Sequence, residues 1–288
     1  EKKKKKIYND IKFKSGMKCL TDIKKPFYLL NGNHELNDIL YENDSPSQCL
    51  SLTKQMEYCK TDTMCTNSDF IKYEDGVLII MLDTSVFEGN SPMECYELIF
   101  HETNKDKIIK IQKEAIMNYL DNLLDIHIQK LILCGHHPIQ IARRKPDKEV
   151  LNTNKELADF IIQIMNKVSR HDCTIEYLCA DFHVYQKGTI IFNNNPDLTL
   201  DQYIIGTGGT TLDDFLEKTI YSIDIGDLKL TYNITDQYKT YGYIYYDTDS
   251  TPVFINAQST IGGVNSKRRH SSKRRRSSKR RHSSKRRR

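Results

Sequence analysis

No stretch of this chain approaches the ~18 consecutive apolar residues of a bilayer-spanning helix, so no membrane span is expected. The eight cysteines make no C-x-x-C pair and no zinc-finger spacing, which argues against a dithiol redox motif and a cysteine-held zinc. The C-terminal stretch, residues 266–288, contains no acid and no apolar residue. It has nothing to bury and is expected to be disordered. An initiating methionine is also missing. The chain opens on Glu1, so its true N-terminus is expected to lie upstream, and the lack of a signal peptide decides nothing.

What is present is enough for a folded body. The 288 residues are 38% hydrophobic and 28% charged, sufficient for a substantial core. The net charge of +5 belongs to the ends. Residues 266–288 carry 14 Lys/Arg, and residues 2–6 are five lysines. Without both ends the body holds 24 basic and 37 acidic residues, a balance of about −13. Any polyanion should therefore meet the tail rather than the body. The tail repeats a hexad, S-S-K-R-R-R/H, three times, after a first copy at 265–270 that has Asn265 in place of the first serine. Such a segment binds phosphate backbones by counterion release or serves as a nuclear-import signal, and it is also a common low-complexity expansion. It lacks aromatic residues, so base stacking is not expected of it. The organisation expected is a basic N-terminal segment (1–6), one folded domain (7–258) and the basic tail (259–288).

Cys134 and Cys179 sit in apolar, strand-like runs where buried reduced thiols are common. Together with the basic tail they favour an intracellular setting, cytoplasmic or nuclear. Cys49, Cys59 and Cys65 lie near one another in a loop-like region, which leaves room for one disulfide there.

Along the chain, Phe27–Leu30 reads as a short buried strand ending at Asn31-Gly32, and residues 36–75 read as a polar loop or insertion with short helices. Gly76–Leu82 is apolar on both faces, the mark of an interior strand. Helical spacing runs over residues 107–126 and again over 154–168, with strands at Lys130–Cys134 and Thr174–Cys179 between and after them. From residue 186 the texture changes to short runs rich in Tyr, Ile and Thr separated by turns, an antiparallel set.

Three of these runs stop at residues rich in metal-ligand types: G-N-H-E at 32–35, G-H-H-P at 135–138 and A-D-F-H at 180–183. Sites in α/β sheets collect at the carboxyl ends of strands, and imidazole, carboxylate and amide oxygen suit Zn, Fe or Mn. Asn31-Gly32 by itself is also an ordinary turn dipeptide, and Asp181 an ordinary turn residue. Gly206, Gly208 and Gly209 look superficially like a phosphate loop but lack a following helix, so a tight turn is the better reading.

The ordered trio resembles the calcineurin-like metallophosphoesterases, and within them the purple acid phosphatase branch. That family carries five motifs in order: D-x-H, G-D-x-x-D, G-N-H-[DE], G-H and G-H-x-H. The resemblance spans roughly residues 20–250 and includes the G-T-G-G-T at 206–210. It implies a four-layer α/β/β/α sandwich, N-terminally incomplete here, and two divalent or trivalent metal ions (Fe, Zn or Mn). It implies a hydrolase that cleaves a phosphomonoester with metal-activated water. In it, Asn33 and His136 would ligate one metal and His183 the other. His34 would face the substrate and protonate the leaving alkoxide, while His137 would point elsewhere.

Two departures matter. Asp181 stands where the family has a histidine. On an extended strand, positions 181 and 183 would share a face, so both would still point inward and a harder cation such as Mn or Mg would be favoured. The first two motifs are absent: no G-D-x-x-D occurs, and the one D-x-H, Asp125-Ile126-His127, follows G-N-H-E at the end of an expected helix. The chain thus reads as truncated, and the site as holding one metal or two. A second reading is an inactive, phosphoesterase-like protein that acts as a binding module through its tail.

Overall fold

The computed structural model of the chain describes residues 6–7, 10–32, 40–42, 45–47, 49–61, 65–67, 71–88, 93–123, 126–145, 148–168, 173–207, 211–246 and 251–257. The described chain begins with strand β1 (Lys6–Ile7), helix α1 (Asp10–Thr21) and β2 (Phe27–Leu29). Next come β3 (Leu40–Glu42), β4 (Ser45–Ser47), α2 (Leu50–Thr61), β5 (Cys65–Asn67), β6 (Ile71–Glu74) and β7 (Val77–Met81). Three helices follow, α3 (Ser85–Glu88), α4 (Met93–Phe100) and α5 (Lys105–Asn122), and then β8 (Lys130–Cys134). A hairpin, β9 (Gln140–Lys145) and β10 (Lys148–Thr153), leads into α6 (Lys155–Val168) and β11 (Thr174–Cys179). The rest is β: β12 (Tyr185–Phe192), β13 (Thr199–Ile205), β14 (Asp214–Phe215), β15 (Ile220–Ile225), β16 (Leu228–Tyr238), β17 (Gly242–Tyr245) and β18 (Val253–Asn256).

Among the described residues, eight strands form the main sheet, in the order β15-β16-β12-β13-β11-β8-β7-β6. Its centre is parallel: β7 pairs with β8, β8 with β11, and β11 with β13. The flanks are antiparallel, with β6 on one side and β12, β16 and β15 on the other. The architecture is mixed α/β, consistent with the expected sandwich. The α-to-β change in texture along the sequence corresponds to the antiparallel flank, except that β13, expected in the antiparallel set, pairs in parallel with β11 and joins the centre.

The register explains where the core lies. Ile80, Leu133 and Tyr177 align across three strands, so their side chains share one face. All three are fully buried, in one cluster with Ile108, Ile116 and Leu120 of α5 and Phe160, Ile161 and Ile164 of α6. Both long helices start on an asparagine. The Asn104 side chain accepts from the Lys107 N–H at 3.1 Å, and that of Asn154 from the Leu157 N–H at 3.0 Å.

The N-terminal part departs from the sequence reading. The strand expected to be buried, β2, stands outside the main sheet. It pairs in parallel with β5 in a separate two-stranded sheet, and Tyr28 on it is 41% exposed. Three apolar residues are too short a run to claim an interior position, and the core strand before α3 is β7. The polar stretch 36–75 contains a full helix, α2, whose Leu50 and Leu52 are buried. Cys49 pairs with Cys95 at a Cα–Cα distance of 5.4 Å, joining the start of α2 to α4. Its partner thus lies outside the Cys49, Cys59, Cys65 group, because the fold brings a residue 46 positions away into contact. Cys59 is disulfide-bonded as well. Cys134 and Cys179 are free thiols, as read from their strands. Among the described residues, no helix is long and apolar enough to cross a membrane.

Candidate metal centre at the strand ends

The four parallel strands at the centre of the sheet release their chains at one edge. From β7 comes Leu82-Asp83-Thr84, from β8 Gly135-His136-His137, from β11 Ala180-Asp181-Phe182-His183, and from β13 Gly206-Thr207. Two of the three strand ends singled out in the sequence are therefore neighbours here. His136 Nε2 lies 3.6 Å from Asp181 Oδ1. With His137 they form a cluster whose ligand atoms are all within 4.8 Å of one another. Two imidazoles and a carboxylate form a chemically suitable donor set for a borderline or hard divalent cation.

Thr84 is the post on which this corner hangs. Its Oγ1 accepts from the backbone N–H of His136 at 3.0 Å and of His137 at 2.8 Å. The same oxygen is 3.2 Å from His137 Nδ1. Which of the two atoms donates there depends on the imidazole tautomer. Gln112 performs the matching task one step earlier, accepting from Asp83 N at 2.8 Å and donating to its carbonyl at 3.2 Å.

Burial pushes the His137 imidazole down to about 4, helped by the charge of His136 and opposed by Asp181. Burial alone would raise the Asp181 carboxyl. The hydrogen bond from His136 and the charges of His137, His136 and Arg143 outweigh it and hold the group below its usual range. The cluster at neutral pH is thus an aspartate facing a neutral His137. A stability effect follows from the sign of the His137 shift. Between about pH 4 and 6.5 the unfolded chain binds a proton that the folded chain refuses, so stability is complete above about 6.5 and falls as the pH drops toward 4. The expected loss is roughly 3 kcal/mol, read from urea midpoints at pH 7 and pH 4 in EDTA. His137→Asn should remove most of the slope, and an unchanged slope in that variant would place the titrating group elsewhere.

The A-D-F-H stretch does not run extended. Asp181 has φ 53°, in the left-handed region, and the Phe182 and Val184 N–H groups bond two residues back, to Ala180 O at 2.6 Å and Phe182 O at 2.9 Å. Positions 181 and 183 therefore do not share a face. Asp181 turns to His136, while His183 turns to Asp213. The His183 N–H donates to Asp213 Oδ2 at 3.0 Å, its Nδ1 is 3.6 Å from the same oxygen, and Asp213 N donates back to His183 O at 2.9 Å. Gly206 explains why this turn fits: a Cβ there would collide with the Phe182 carbonyl. Its role is close packing of β13 against the 180–183 turn. Gly208 and Gly209 lie outside the described residues.

His137, expected to point elsewhere, instead joins the cluster, and three contributors went unread in the sequence: Thr84, Asp213 and Arg143. The Arg143 guanidinium is 3.9 Å from Asp213 Oδ2 and sits over the Phe182 ring at 5.8 Å. No local pattern marks any of them, although the D-T after the apolar run and the Arg-Arg pair in β9 are visible once the strands are placed. Asn33 and His34 lie outside the described residues. The two residues before them, Asn31 and Gly32, are buried. His127 of the lone D-x-H is exposed and precedes β8, at the opposite end of the strand from His136, and Asp125 lies outside the described residues.

No protein-family model and no curated protein matches the chain. Among solved structures, it is similar to a purple acid phosphatase from yellow lupin (Lupinus luteus) seeds, at 13% identity and a TM-score of 0.38. The match covers 75% of this chain and 35% of that one, so the chain spans about a third of its neighbour's length.

Proposed function

We propose that the protein is a metal-dependent phosphoesterase hydrolysing a phosphomonoester. The observation that carries this reading is the His136–Asp181 pair, 3.6 Å apart at the carboxyl ends of adjacent parallel strands, with His137 beside it. His136 and Asp181 would hold a divalent cation, with Asn33 completing the set and His183 belonging to a second metal. Bound there, a cation would activate water and offset charge on the phosphoryl oxygens. In the reaction the water oxygen attacks phosphorus, the P–O bond to the alcohol breaks, and His34 supplies the proton the alkoxide takes up. Arg143, beside Asp213, supplies a fixed positive charge next to that corner, suited to orienting a phosphate.

The test is hydrolysis of p-nitrophenyl phosphate with added Mn, Zn or Fe. His136→Ala and Asp181→Ala should each lower kcat/KM by about 10²-fold or more and reduce metal content by elemental analysis. Equal rates in wild type and both variants would end the reading.

For the tail, which lies outside the described residues, the proposal is binding of nucleic acid or another polyanion. Deleting residues 266–288 should abolish a salt-sensitive retention on RNA. The Cys49–Cys95 disulfide favours an oxidising compartment. That counts against the cytoplasmic or nuclear setting suggested by the tail and the free thiols.

A further inference from the structure

On the face of the main sheet turned away from α5 and α6 lies a cavity of about 500 Å³. Its floor is built by β7, β11 and β13 through Ile79, Leu178 and Ile205, and Tyr28 and Leu30 line it from outside the sheet. The volume is in the range of small-molecule sites, ~300–1,000 Å³. Its position is as informative as its size. Gly135 and Ala180 also line it, and each is one residue, ~3.8 Å of chain, from a member of the metal cluster, His136 and Asp181.

The lining decides what fits. Its one charged side chain among the described residues is Lys72, which is exposed and already paired with Glu74. A sugar, nucleobase or peptide placed here would lose its hydrogen bonds to water and gain few in return. An alkyl or aryl group loses none and removes apolar surface from water on both sides.

We infer that this cavity binds an alkyl or aryl group and, on the phosphoesterase reading above, receives the apolar alcohol portion of the ester while its phosphate meets His136 and Asp181. The substrate class is then a phosphomonoester of an apolar alcohol rather than a sugar phosphate or a nucleotide.

Binding and turnover separate the two claims. Octylphosphonate and ethylphosphonate, which cannot be hydrolysed at the P–C bond, are titrated by calorimetry into the metal-loaded full chain. The octyl compound should bind at least tenfold more tightly. Ile79→Trp and Leu178→Trp fill the cavity while keeping it apolar. Each should abolish the preference with an unchanged affinity for ethylphosphonate, the variant that retains a wild-type urea midpoint being the one used. Equal binding of the two phosphonates by wild type overturns the inference, as does a preference that survives in a folded tryptophan variant. With the preference confirmed, octyl phosphate should be hydrolysed with at least tenfold higher kcat/KM than glycerol 1-phosphate. A confirmed preference with no hydrolysis of any ester supports the cavity and overturns the phosphoesterase reading alone.

Discussion

Gly135→Ala is expected to destabilise the fold by roughly 3–5 kcal/mol and to dismantle the metal corner. A Cβ at position 135 would fall on the Tyr177 hydroxyl and lie 2.6 Å from Thr84 Cγ2. Neither neighbour is free to yield. Tyr177 is fully buried in the sheet, where burial keeps its hydroxyl protonated, and that hydroxyl donates to the His137 carbonyl. Thr84 is fully buried and receives the His136 and His137 amides. Moving either one leaves a buried donor or acceptor unmade, at ~1–3 kcal/mol each, on top of the overpacking. The measurement is the urea midpoint of Gly135→Ala beside that of Thr84→Val, which keeps the volume and removes the acceptor. A loss below about 1 kcal/mol for Gly135→Ala would mean that the corner relaxes and that the glycine is not what brings β8 and β11 so close to Thr84.

Replacing both Cys49 and Cys95 by serine should cost about 4 kcal/mol on a chain-entropy estimate for a loop of this length. The bridge spans 46 positions and both sulfurs are in the core, with Cys95 fully buried. It matters more than an average crosslink because α2, β2 and β5 stand outside the main sheet, so their attachment rests on few elements. Loss of the bridge should therefore expose residues 10–67 to limited proteolysis before the sheet unfolds. Wild type treated with reductant should behave as the double variant does. A wild-type midpoint that reductant shifts by less than about 0.5 kcal/mol would mean that packing alone holds this layer.

Much of the fold is legible along the chain. The two helical patterns end within a few residues of α5 and α6, and the apolar runs before G-H-H-P and A-D-F-H are β8 and β11. These are long or strongly periodic segments, where the burial pattern is written locally. The hairpin β9–β10 and helix α1 were not read, because their residues are polar and their burial depends on partners far along the chain. His136 and Asp181 were singled out for their type and for their place after a strand, and the sheet makes those strands neighbours.

Residue type and a period-two or all-apolar run suffice to place ligand-type side chains at the ends of interior strands. Tertiary structure alone decided their company. Asp181 faces His136 instead of sharing a face with His183, because the chain turns left-handed after β11 in a space that only Gly206 leaves open. His137 joins the cluster and stays neutral because Thr84, 53 positions away, fixes its ring in a buried site. Strand β2 leaves the main sheet, and Cys49 finds Cys95. Each of these is a contact between distant positions, set by packing and hydrogen-bond satisfaction in three dimensions, and no local pattern encodes it.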